Sequence, residues 1–109
     1  MKNSPDSELR SILREERDRL RELAALYRSR ISKLPKGYIS VKKINGRHYA
    51  YLSYREKDRI RSVYIGKSPS EKAAEMKRLI ESRKEYQSQL KLVRGRIREL
   101  EKIINKKGI

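Results

Sequence analysis

Asn45-Gly46 sits between two runs of alternating apolar and polar residues, which predicts a two-residue type I′ hairpin. Tyr38 to Ile44 reads as a first strand and Arg47 to Arg55 as a second. The turn sets the register: Ile44 against Arg47, Lys42 against Tyr49, Ser40 against Tyr51 and Ile39 against Leu52. After the polar break Glu56-Lys57-Asp58, Arg59 to Ile65 reads as a third strand, closed by Gly66. Setting Arg55 opposite Ile60 brings Leu52 to Val63 and Tyr51 to Tyr64.

Alternation along the strands sorts these residues onto two faces. One carries Ile39, Val41, Ala50, Leu52, Val63 and Ile65, with Lys43 and His48 near the hairpin tip, and is expected to pack on the rest of the protein. Tyr54 also falls there, as a core edge or a helix contact. The other face carries Tyr38, Ser40, Lys42, Arg47, Tyr49 and Tyr51, then Ser53, Arg55, Ser62 and Tyr64, with Ile60 as its exception. Lysine and arginine neutralise phosphates, and tyrosine donates a hydrogen bond or stacks on a base or sugar. A two- or three-stranded ribbon also fits the major groove of DNA. The candidate nucleic-acid contacts are therefore Lys42, Arg47, Tyr49, Tyr51, Arg55 and Tyr64, with Arg59, Arg61 and Lys67 extending the basic field. The competing reading is that tyrosines are good strand formers whose cross-strand pairs stabilise a thin sheet.

Charge favours the first reading. The chain has 30 Lys and Arg against 14 Asp and Glu, a net charge of +16. Residues 37–67 hold eight cations and two anions, a more one-sided balance than in either flanking segment. Such an excess attracts nucleic acid or an anionic membrane surface. The membrane is the weaker option, because no stretch approaches the ~20 apolar residues of a span. No signal peptide is read at the N-terminus, and a cytoplasmic location is expected. Without cysteine there is no disulfide or thiolate metal site.

Long helices are expected on either side, dividing the chain into segments 1–36, 37–67 and 68–109. Ser4 as cap, Pro5 in the first turn, and Asp6 and Glu8 near the positive helix end open the first, which Pro35 stops near Lys33. Leu13, Leu20, Tyr27 and Leu34 recur at heptad spacing, accompanied by Leu9, Glu16, Leu23 and Arg30. Ser68-Pro69-Ser70-Glu71 reads as a capping box for the second helix, which Gly108 stops. Its seam runs Met76, Leu79, Arg83, Tyr86, Leu90, Val93, Ile97, Leu100 and Ile104. Glu16 and Arg83, polar at seam positions, read as devices for register or partner choice. The fold class is α+β: long helix, three-stranded antiparallel sheet, long helix, with the helices folding back as an antiparallel coiled-coil stem and the sheet at its tip. A homodimer through Leu13, Leu20, Leu23, Tyr27, Leu79, Tyr86, Leu90, Val93, Ile97 and Leu100 is expected, since so small a chain exposes much of its apolar stripe. Pairing of equivalent helices between two chains stays open.

Leu34-Pro35-Lys36-Gly37-Tyr38-Ile39, Lys42-Lys43-Ile44-Asn45-Gly46-Arg47, Tyr49-Ala50-Tyr51-Leu52-Ser53-Tyr54-Arg55-Glu56 and Val63-Tyr64-Ile65-Gly66-Lys67 together resemble a family of small uncharacterised prokaryotic proteins, common in archaea. The resemblance covers about a third of the chain closely and implies no assigned activity. The sheet is also similar to the arm-type DNA-binding domains of tyrosine recombinases, in which a basic three-stranded sheet enters the major groove. That similarity implies DNA contact through Lys42, Arg47, Tyr49, Tyr51, Arg55 and Tyr64. The long leading helix departs from the recombinase pattern, and no catalytic domain accompanies it.

Catalysis is not expected. His48 is the single histidine, and no nucleophile–base set assembles around it. The carboxylates serve helix ends and flanks, and the glycines stand singly, so neither a metal nor a phosphate loop is indicated. No cofactor or small-molecule substrate is expected. The sequence therefore reads as a nucleic-acid-binding protein with duplex DNA first. An RNA-binding module or a coiled-coil adaptor for a protein partner is the alternative.

Overall fold

The computed structural model describes residues 5–106, with side chains from Ser7 onward. The order is α1 (Pro5–Ser32), β1 (Tyr38–Ile44), β2 (Arg47–Glu56), β3 (Arg59–Lys67) and α2 (Glu71–Ile104), an α+β arrangement of two helices around an antiparallel sheet ordered β1-β2-β3. Ser4, Lys107 and Gly108, and with them the first cap and the second stop, lie outside the described residues. Every cross-strand pair expected from the Asn-Gly turn is present, from Ile44–Arg47 to Ile39–Leu52, and so are Arg55–Ile60, Leu52–Val63 and Tyr51–Tyr64. Asn45 and Gly46 have φ of 52° and 78°, the pair of positive angles a type I′ turn needs.

The chain divides into two compact units. One is Ile31–Glu85, the sheet with the first turns of α2; the other joins α1 up to Arg30 with α2 from Tyr86 onward.

In the sheet unit, Ala50 is fully buried and packs with Ile65 and Ala73, bordered by Ile39, Leu52 and Met76. The rest of the aliphatic face is not covered: Val41 is 52 % and Val63 47 % exposed, against the expectation that both would pack inward. One helix covers about one strip of a sheet, and these valines lie on the two edge strands. The start of α2 also falls two residues later than the capping box suggested. Ser68, just past the end of β3, is still tied to the sheet, its N–H donating to the His48 carbonyl at 3.0 Å. The cap is Ser70, whose Oγ accepts the Ala73 N–H at 3.2 Å. Arg83, the break in the second seam, donates from Nε to the Ile31 carbonyl at 3.4 Å, which also accepts the Leu34 N–H at 3.2 Å at the end of α1.

In the helical unit the seams close on each other within one chain, antiparallel. Leu20 and Ala24 of α1 are buried, as are Leu90, Val93 and Ile104 of α2. Leu13, Leu23 and Tyr27 are half-buried, and so are Tyr86, Ile97 and Leu100. Tyr27 and Tyr86 meet with ring centres 5.8 Å apart, and Arg30 both donates to the Tyr86 hydroxyl at 2.9 Å and lies over its ring. Arg10 donates to the Lys106 carbonyl at 2.9 Å, and Arg21 forms an ion pair with Glu101. The seam residues assigned to dimerisation in this unit are thus used inside the chain, and Leu79 is half-buried in the sheet unit. Among the described residues no helix is long and apolar enough to cross a membrane.

Two backbone positions give sharp tests. Gly37 has φ of 116°, and a Cβ there would collide with the Ser53 carbonyl. Gly37→Ala is expected to cost on the order of 2 kcal/mol in urea unfolding. Lys57, in the β2–β3 turn, has φ of 55° with a side chain to strain it. Lys57→Gly is expected to raise stability by about 0.5 kcal/mol in the same measurement.

Candidate nucleic-acid interface

The outward face of the sheet is built around tyrosine rings. Tyr51 and Tyr64, paired across β2 and β3, meet edge to face with centres 5.6 Å apart, and Tyr49 reaches Tyr64 at 6.2 Å. Lys42, on β1, places its Nζ 4.6 Å above the Tyr51 ring. Tyr49 and Tyr51 are half-buried by this packing, whereas Tyr64 remains 54 % exposed. Their phenol hydroxyls have no partner among the described residues, so they are directed to solvent or to a ligand.

Beside the rings runs a row of hydroxyls. Ser53 bonds Ser40 at 3.0 Å and Ser62 at 3.1 Å, linking all three strands, and is 3 % exposed. Alternation put Ser53 on the open face. Its burial follows from a short side chain at the middle of the central strand, hydrogen-bonded on either side.

Seven of the nine residues assigned to nucleic-acid contact share this face. Lys42, Arg47, Tyr49, Tyr51, Arg55 and Tyr64 are there by alternation. Lys67 joins them because the register shifts between Ala50 and Tyr51, which places Lys67 opposite Tyr49 and Gly66 opposite Ala50. Gly66 inside a strand pattern was the available signal for that irregularity. Arg59 and Arg61 do not share the face. They pair with Glu56 and Tyr54 on the opposite side, where Arg61 Nε lies 3.1 Å from the Glu56 carboxylate. Two exposed isoleucines complete the surface: Ile44 opposite Arg47 at one end, and Ile60, 65 % exposed, opposite Arg55 at the other. Sequence reasoning flagged Ile60 and overlooked Ile44.

The electrostatics are one-sided. No strand carboxylate falls on this face, since Glu56 alternates away. Arg47, Arg55 and Lys67 have no carboxylate partner among the described residues. The face offers unneutralised cations around hydroxyl donors, a set that suits phosphate. Among the described residues no three His, Cys, Asp or Glu side chains converge as metal ligands.

Removing the central hydroxyl tests the ladder. Ser53→Ala is expected to cost about 1 kcal/mol in urea unfolding, because it leaves both neighbouring hydroxyls without a protein partner.

The chain belongs to the family described as a domain of unknown function (DUF6788), which matches residues 7–77. That stretch takes in most of α1, the whole sheet and the first turns of α2. No curated protein and no solved structure matches the chain.

Proposed function

We propose that this member of the DUF6788 family is a nucleic-acid-binding protein whose tyrosine–basic sheet face contacts duplex DNA. The observation that carries the reading is a face with unpaired cations, outward phenol hydroxyls and no carboxylate. Arg47, Arg55 and Lys67 would meet phosphates or base edges, while Tyr49, Tyr51 and Tyr64 would donate to the backbone. Arg59 and Arg61 contribute only to the longer-range field. The role is one of binding, with no catalytic step.

Duplex DNA is preferred over single-stranded RNA because of how the rings are used. Recognition of unpaired bases relies on free aromatic faces. Here Tyr51, Tyr64 and Tyr49 pack against one another, and Lys42 covers the Tyr51 ring. What they offer outward is hydroxyls and ring edges.

The test is a fluorescence-anisotropy titration of a labelled duplex at several salt concentrations. Binding is expected to weaken steeply with salt. Arg47→Ala with Arg55→Ala should flatten the log–log slope by about 2, since each lost phosphate contact removes about 0.9. The control Arg30→Ala with Arg96→Ala removes the same charge from the helical unit and should leave the slope nearly unchanged. Equal losses from the two pairs would show that the sheet has no special role. Stronger competition by single-stranded RNA than by duplex would replace DNA with RNA as the ligand.

A further inference from the structure

The helical unit has two flanks of different character. Seven residues make nearly two turns, so Arg14, Arg21 and Arg28 share one side of α1, with Arg17 beside them. The glutamates of α1, at 8, 15, 16 and 22, lie off that side. On α2, Lys91, Arg94, Arg98 and Lys102 form a matching row at steps of three and four. In an antiparallel pair these rows face the same way, and the inter-helix ion pair of Arg21 with Glu101 marks that flank. The opposite flank is held differently. There Arg30 reaches Tyr86, and Glu16 is paired with Arg19 at 2.7 Å. Arg19's hydrogen bond, with a smaller contribution from the charge of Arg96, holds the Glu16 carboxyl below the ordinary carboxylate range.

Most cations of the first flank are not neutralised. Arg17 and Arg21 pair with Asp18, and Arg21 with Glu101. Arg14, Arg28, Lys91, Arg94, Arg98 and Lys102 are exposed and have no carboxylate partner among the described residues. Like charges repeated along two packed helices repel one another. Between Lys91 and Arg98 the surface is indented at Gly95, where a Cβ would meet nothing closer than the Arg98 guanidinium at 3.9 Å. The chain's own packing therefore does not require glycine there, and the indentation, lined also by Leu92, Arg96 and Glu99, leaves backbone open beside the cation row.

We infer that this flank, centred on Arg14, Arg28, Lys91 and Arg98, is a second phosphate-backbone surface, separate from the sheet face and belonging to the helical unit. From Arg14 to Arg28 the α1 row extends about 20 Å. A row of exposed cations with no aromatic ring among them suits a duplex backbone held without sequence readout. An anionic membrane is a poorer match. Interfacial helices insert a large apolar face beside their cations, whereas this sector offers Ala25, Gly95 and a single exposed Leu92, Ala24 being buried.

The experiment compares two triple variants of the full chain with equal net charge, each checked for helicity by circular dichroism. Arg14→Gln, Lys91→Gln and Arg98→Gln remove the flank; Arg19→Gln, Arg30→Gln and Arg78→Gln remove cations elsewhere on the helices. In the salt-dependent duplex titration the flank triple is expected to lower the slope by 2–3 and weaken affinity at least tenfold. The control triple should lower the slope by less than one. Equal effects from both triples, or none from the flank triple, overturn the inference, as does preferential binding to anionic vesicles lacking nucleic acid. The sheet pair Arg47→Ala, Arg55→Ala, run in parallel, separates the two surfaces. Loss in that pair with none in the flank triple leaves the sheet reading standing and overturns this one. The reverse result does the opposite.

Discussion

The contact between Ala50 and Ala73 is the point on which the sheet unit depends. Ala50 is fully buried at the middle of the central strand, and the helix residue packed with it is also alanine. Two methyl groups let the first turns of α2 lie close to the sheet, so that Ile65, Ile39, Leu52 and Met76 close around the contact. Close approach also explains the junction. Ser68 remains hydrogen-bonded to β2, and Ser70, two residues on, already caps the helix. A larger residue at either alanine would overpack this small core and push the helix away, which typically costs 1–3 kcal/mol.

Because that core is one strip wide, the sheet must hold itself together elsewhere. The hydroxyl row through Ser53 and the ring cluster of Tyr49, Tyr51 and Tyr64 both run across strands on the face that α2 does not cover. Cross-strand pairs of this kind contribute about 0.2–1 kcal/mol each, enough to matter in a three-stranded sheet with two open edges. The tyrosines therefore satisfy both readings that the sequence left in competition. They are strand-stabilising pairs, and they carry outward hydroxyls beside unpaired cations.

The β1–β2 register, and the β2–β3 register from Tyr51 to Arg55, were legible because the Asn45-Gly46 turn and period-two alternation constrain them locally. The heptad spacing showed that each helix needs a partner, and the short sheet between the helices pointed to antiparallel closure, but pairing within one chain rather than between two was not fixed by the spacing. What was not legible depended on long-range accounting. Whether Val41 and Val63 are covered depends on the width of one helix against three strands, which no local pattern encodes. The cap moved from Ser68 to Ser70 because a sheet hydrogen bond, invisible in the sequence, outcompeted a local capping box. Arg59 and Arg61 were assigned by charge alone, although alternation already placed them on the opposite face. Lys67 reached the contact face through a register irregularity whose one local trace is Gly66. On α2 the helical spacing of Lys91, Arg94 and Arg98 already puts three cations on one face, whereas the matching side of α1, with Arg14, Arg21 and Arg28, lines up with it only once both helices are oriented.

The division of labour on the sheet face bears on what substitutions there can reveal. Lys42 and the three tyrosines contact one another, so replacing any of them disturbs the sheet and the candidate surface together. Arg47 and Arg55 are different. They are exposed near opposite ends of β2, each beside a bare isoleucine, and no carboxylate of the described chain restrains them. An exposed cation without an intramolecular partner contributes little to folding. In a chain already at +16 such a cation adds to self-repulsion. Water and counterions compensate it in the free chain, and under the proposed function the phosphates of a duplex would take the place of those counterions.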